Sequence, residues 1–210
     1  MSTGKERQRI RDLNAQIDAA LLAPGRQQAW SIVRTRPEAD AAELAERVRR
    51  RATVLTRRSA TQTAAVLDAR DHLIQALYAH DSPRGWCTAW CDGSSDASQR
   101  AAVGGVLVDA QGRTLGQWSR VICARDPFAT EIAALASAFE FAAAHGADRL
   151  RVYTDCVALV RLWNEQRADE RLLVVRARAR QFARVQLRAL PRLHNQPANR
   201  LARAALARGR

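Results

Sequence analysis

Three acids stand where their carboxylates could act together: Asp92 at the end of a short apolar run, Glu131 near the start of a helical run, and Asp155 at the end of a second strand-like run. Each has an ordinary reading by itself, as a turn residue, a helix N-terminal acid and a cap. Their joint placement changes the reading. If the runs ending at Asp92 and Asp155 are neighbouring strands, the two acids lie side by side and the helix brings in the third. Three carboxylates at close range repel one another, an arrangement that makes sense when divalent cations neutralise them. Hard oxygen ligands without Cys or His point to Mg²⁺ or Mn²⁺. The cysteines do not compete with this chemistry. Cys87 and Cys91 lie in an extended apolar run with no second Cys/His pair at zinc-finger spacing, and Cys123 and Cys156 are scattered. All four read as small reduced hydrophobic residues.

The elements that would position the acids follow from periodicity. Trp86 to Cys91 reads as a strand ending at an Asp92-Gly93-Ser94-Ser95 turn. Val103 to Val108 and Thr114 to Ile122 are two more strands, joined by the Asp109-Ala110-Gln111-Gly112 turn. A helix from about Ala129 to His145 stops at Gly146, and Leu150 to Thr154 forms a fourth strand. Helices over Val157 to Asn164 and Leu172 to Phe182, a strand over Val185 to Leu190 and a helix from Pro197 complete the order β-β-β-α-β-α-α-β-α. Three antiparallel strands followed by crossovers predict a mixed five-stranded sheet flanked by helices.

Several motifs in this stretch occur in a familiar order. Trp90-Cys91-Asp92-Gly93-Ser94, Val103-Gly104-Gly105-Val106-Leu107, Thr130-Glu131-Ile132-Ala133-Ala134-Leu135, Tyr153-Thr154-Asp155 and Pro191 to Ala202 together resemble type 1 ribonuclease H. The resemblance covers residues 86–210 and implies a ribonuclease H-like α/β domain that hydrolyses the RNA strand of RNA/DNA hybrids. It further implies two cations about 4 Å apart, activating a water and stabilising the leaving 3′ oxygen. Asp92 would bridge them, with Glu131 and Asp155 completing the sites. By resemblance, Glu131 would also lie near the ribose 2′-OH that distinguishes RNA from DNA. The family's fourth acid is replaced by Asn199, whose amide carbonyl would be a weak, uncharged ligand. Asn195, Ser94 and Arg192 are candidates for contacting the hybrid. His194 falls near the family's mobile, product-releasing histidine, with a plain surface histidine as the alternative. An inactive binding or assembly protein on the same fold, and another nuclease of the superfamily, stay open as alternatives.

Charge supports a polyanionic partner. The chain has 210 residues and a formal charge of +13, and after Glu170 eleven arginines follow with no acid. Arg176 and Arg180, one helical turn apart, are the expected phosphate contacts in that stretch. Residues 1–80 have a different texture, with apolar residues at helical spacing such as Ile10, Leu13, Ile17 and Leu21, then Leu44, Val48 and Leu55. Pro24-Gly25 should break the first helix from the second, and Pro37 suits the first turn of a third, with Glu38 and Asp40 near its N-terminal end. This predicts an all-α N-terminal region, residues 81–85 as a linker and a nuclease domain over 86–210. Up to Gly85 the chain has 15 basic and 10 acidic residues, less one-sided than the tail. That favours protein contacts for residues 1–80, either association with a second copy or docking of a partner. No apolar run reaches membrane-spanning length and the N-terminus lacks a signal-like core, so a cytoplasmic protein is expected.

Overall fold

Alternating apolar runs in the second part of the chain pair into one sheet, whose register decides which side chains meet. The computed structural model describes residues 4–23, 32, 39–58, 61–98, 100–124, 126–166 and 169–208. Pro24, Gly25, Pro37, Glu38 and Arg210 lie outside them. The chain divides into two compact units, Met1–Asp81 and Ser82–Arg210.

The first unit contains three described helices: α1 (Gly4–Leu22), α2 (Ala41–Arg58) and α3 (Thr63–Asp81). Their apolar stripes are buried in the folded chain: Leu13, Ile17 and Leu21 from α1, Leu44 and Val48 from α2, and Leu73, Ile74 and Leu77 from α3. These stripes are therefore covered.

The second unit runs β1 (Cys87–Ser95), β2 (Arg100–Val108), β3 (Thr114–Cys123), α4 (Pro127–Ala144), β4 (Arg149–Thr154), α5 (Val157–Asn164), α6 (Glu170–Ala179), β5 (Arg184–Ala189), a 3-10 turn (Arg192–His194) and α7 (Gln196–Arg208). The sheet order is β3-β2-β1-β4-β5. β1, β2 and β3 are antiparallel, while β1-β4 and β4-β5 are parallel. This is the mixed five-stranded sheet flanked by helices, preceded by an all-α region, that the sequence predicts. One face buries Ala89, Cys91, Val103, Leu107, Leu150 and Val152 against Leu135, Phe139 and Leu159 of α4 and α5. Against β1 and β2 lies α7, with Ala198, Ala202 and Ala205 buried. Gly104 permits that packing, because a Cβ there would run into the Ala202 amide and come within 2.8 Å of Leu201.

Two boundaries differ from expectation near the acids. β1 continues to Ser95, so Asp92 lies inside the strand and Gly93-Ser94-Ser95 are not a turn. These residues pair with Ala101 to Val103 of β2. The turn comes later, where the Asp96 carboxylate accepts from the backbone N–H groups of Ser98 at 2.9 Å and Arg100 at 3.1 Å. α4 begins at Pro127, capped by Asp126, whose side chain accepts from the Ala129 N–H at 2.7 Å. Glu131 therefore occupies the second turn of the helix.

Candidate active site

The strand register brings the two aspartates together. Trp90 is level with Tyr153 in the parallel β1-β4 pair, so Asp92, two residues on, is level with Asp155 just past β4. Asp92 is only 3% exposed. Glu131 comes from α4, and Gly93 sets how near that helix stands. A Cβ on Gly93 would lie 2.8 Å from Thr130 Cγ2 and 2.9 Å from the Thr130 backbone. With no side chain in the way, the Gly93 N–H hydrogen-bonds the Glu131 carboxylate.

The electrostatics are those of crowded acids. Burial, and next the Asp155 charge, push the Asp92 carboxyl up to about 7, against the opposing effects of the Asn199 amide and Arg192. The nearness of the Asp155 carboxyl thus favours a proton on Asp92. Burial first, then the charges on Asp92 and Asp155, push Glu131 up to about 8, with the Gly93 N–H and Arg192 acting the other way. Glu131 Oε2 is buried with no hydrogen-bond partner. A buried, partnerless carboxylate oxygen beside two further acids fits a divalent cation, and the all-oxygen donor set matches Mg²⁺ or Mn²⁺. As they stand, no three His, Cys, Asp or Glu among the described residues form a closed ligand group.

Two amides complete the cluster, and both depart from expectation. Asn199 turns its amide nitrogen toward Asp92, donating to Oδ2 at 2.6 Å, instead of presenting its carbonyl as a weak ligand. Asn195 is completely buried and donates to Asp155 Oδ1 at 2.9 Å and to the Cys91 carbonyl at 3.0 Å. Both hydrogens of its amide are thereby used inside the cluster. His194 is 2% exposed within the 3-10 turn, so it is not a surface histidine. Ser94 is half-buried in β1, two residues beyond Asp92 and therefore on the same side of the strand.

The expected phosphate contacts also divide. Arg192 is exposed, and its charge reaches both Asp92 and Glu131. Arg180 is exposed at the end of α6. Arg176 is half-buried, donating to the Leu162 carbonyl at 3.1 Å with its guanidinium 5.6 Å over the Trp163 ring. It ties α6 to α5. A glycine directly after a strand acid, facing a helix, is the sequence signal of the close approach at Gly93. The place of Asn195 one helical turn before Asn199 is the corresponding signal for the amide pair.

Residues 90–205 match the family described as "Reverse transcriptase-like". Among solved structures, RNase H1 from the halophilic archaeon Halobacterium salinarum NRC-1 is 29% identical with a TM-score of 0.54, covering 59% of this chain and 99% of that one. The N-terminal RNase H domain of rv2228c from Mycobacterium tuberculosis is 24% identical with a TM-score of 0.54, covering 59% of this chain and 95% of that one. LC11-RNase H1, isolated from compost and solved with an RNA/DNA hybrid, is 20% identical with a TM-score of 0.54, covering 59% and 98%. The last two likenesses speak for the fold alone. No curated protein matches the chain. No helix among the described residues is long and apolar enough to cross a membrane.

Proposed function

Because this chain belongs to the reverse transcriptase-like family, whose domain has the ribonuclease H fold, we propose that its second unit is a metal-dependent endoribonuclease hydrolysing the RNA strand of RNA/DNA hybrids. The observation that carries the proposal is the meeting of the buried Asp92 with Asp155 and Glu131, in which burial and neighbouring acidic charge raise the Asp92 and Glu131 carboxyls. A structural core would not gather like charges in this way.

Asp92, Glu131 and Asp155 would hold two Mg²⁺ or Mn²⁺ ions. When bound, such ions supply an ionised water at neutral pH and neutralise the leaving 3′ oxygen. The chain's own residues do the rest. By the family resemblance, Asp92 would contribute to holding both ions. Gly93 holds Glu131 by its N–H. Asn195 and Asn199 orient Asp155 and Asp92. Arg192, exposed beside the acids, and Arg180, on α6, meet phosphates of the substrate backbone, with Ser94 further along β1 as a polar contact. Residues 1–80 are assigned to contacts with a protein partner through their charged outer surface, since their apolar stripes are covered.

One observation favours a second reading, a weakly active or inactive nucleic-acid-binding protein. The fourth acid of the family's pattern is Asn199, and its donor end faces Asp92. A cleavage assay on hybrid, duplex RNA and duplex DNA, with Mg²⁺ and then Mn²⁺, separates the readings. Preferential hybrid cleavage is expected, stronger in Mn²⁺. Tight hybrid binding without cleavage in either metal would establish the second reading. Cutting of duplex DNA instead would identify another nuclease of the superfamily. Binding should weaken steeply with salt, and Arg180→Glu should lower the logarithmic slope by about one, the release expected per phosphate contact.

A further inference from the structure

Asn195 and Asn199 are one helical turn apart at the start of α7, linked by the Asn199 N–H donating to the Asn195 carbonyl at 3.1 Å. Both are buried, at 0% and 7% exposure. Each gives its amide nitrogen to a different aspartate. The hydrogens of Asn195 Nδ2 go to the Cys91 carbonyl and to Asp155 Oδ1. One hydrogen of Asn199 Nδ2 goes to Asp92 Oδ2. Two oxygen acceptors around Asn195 fix its orientation, because a flipped amide would set oxygen against both of them. Its own Oδ1 is buried without a partner, so the side chain is held there by its donor end alone.

We infer that Asn195 and Asn199 form a matched pair of positioning residues. By donating to Asp155 and Asp92 from one face of α7, they settle which carboxylate oxygens remain free for a cation. Asp92 Oδ2 and Asp155 Oδ1 each accept from an amide, which leaves Asp92 Oδ1 and Asp155 Oδ2 as the pair without an amide donor. The Cys91 carbonyl is the residue before Asp92, so Asn195 also pins β1 against the end of β4 at the level of the acids. Neither asparagine is a ligand or a hybrid contact. In place of a fourth acid, the chain has a donor that relieves the crowding on Asp92. The inference rests on the metal-dependent reading of the same site.

The test uses the full chain, with Mn²⁺ alone as the probe. Mn²⁺ affinity is measured by calorimetry for the wild type, Asn195→Ala and Asn199→Ala. Thermal melting in chelator establishes that each is folded, and hybrid binding is measured without metal. Both variants should bind Mn²⁺ about ten- to a hundredfold more weakly, the usual effect of losing a residue that orients a ligand. Metal-free hybrid binding should be unchanged. A lowered melting temperature with unchanged Mn²⁺ affinity would mean a purely structural role and overturns the inference. Weakened metal-free hybrid binding with unchanged Mn²⁺ affinity would make Asn195 a substrate contact, and overturns it too. If Asn195→Ala does not fold, Asn199→Ala decides the matter, since its side-chain bond is to Asp92 and not to a strand carbonyl. A wild type that cleaves and binds Mn²⁺, beside variants with unaltered Mn²⁺ affinity, sinks this inference alone. A wild type that takes up no Mn²⁺ sinks the nuclease reading as well.

Discussion

The two units differ in one cluster of charge. In the first, acids meet arginines. Arg51 forms an ion pair with Asp18, Arg70 with the buried Asp71 at 2.7 Å, and Arg49 and Arg50 share Glu46 at 2.6 and 2.8 Å. Hydrogen bonding from Arg49, the largest cause, holds the Glu46 carboxyl down at about 2. The second unit pairs acids with arginines too, as in Arg113 with Asp109 at 2.6 Å, but at one place acids meet acids, and burial drives Asp92 and Glu131 the other way. The first pattern is what folding stability selects, since each carboxylate keeps a partner. The second opposes stability until something cationic arrives, which is the signature of a site.

The largest effect should come from removing an acid of the crowded unit. Asp92→Asn or Asp155→Asn should reduce hybrid cleavage by a factor of about 1,000 or more, the scale of losing a central catalytic group. Neither should lower the melting temperature in chelator, because each removes a repelling charge. A melting temperature well below wild type would mean that the acids serve the fold.

Gly93→Ala attacks the placement of Glu131 while leaving every acid present. The new Cβ must push against the Thr130 backbone at 2.9 Å. A shift of about 1 Å in Glu131 should cost roughly a hundredfold in cleavage rate, and the overpacking about 1–3 kcal/mol of stability. Cleavage at the wild-type rate would detach Glu131 from the chemistry.

Opposite charge patterns should also give opposite pH responses in chelator. Glu46 is depressed in the folded chain, so its contribution is present above its unfolded value, near 4.5, and is lost as pH falls toward about 2. Asp92 and Glu131 are raised. Between their unfolded values, near 4, and about 7 to 8, the folded chain keeps protons that the unfolded chain has lost, so stability declines as pH rises through that window. Melting curves from pH 5 to 8 should show the decline, and Mn²⁺ should abolish it. A flat profile in chelator would mean that the acids are not crowded in solution.

The smallest effect is expected from separating the units. A chain beginning at Ser82 should fold and cleave hybrids within a few-fold of the full chain, since the halophilic RNase H1 is 99% covered by 59% of this chain. Loss of cleavage on removing residues 1–81 would make the helical unit part of the enzyme.

Periodicity and turn chemistry in the sequence determined the order of strands and helices, the mixed sheet and the three acids. Those signals are local: a strand alternates, a helix repeats at 3.6, and an acid at the edge of an apolar run stands out. The end of β1 was misread for the same reason. Gly93-Ser94-Ser95 has turn composition, and only its pairing with β2 shows that the strand continues. The outcome at Asn195, Asn199, His194 and Arg176 was decided by tertiary structure. A polar residue in a basic, helix-capping segment has the same local signature whether it faces substrate or core. What separates the cases is the opposite surface: the Cys91 carbonyl and two aspartates for the asparagines, the Leu162 carbonyl and Trp163 ring for Arg176. Those partners are distant in sequence and meet only when the sheet has set its register and α7 has closed over Gly104.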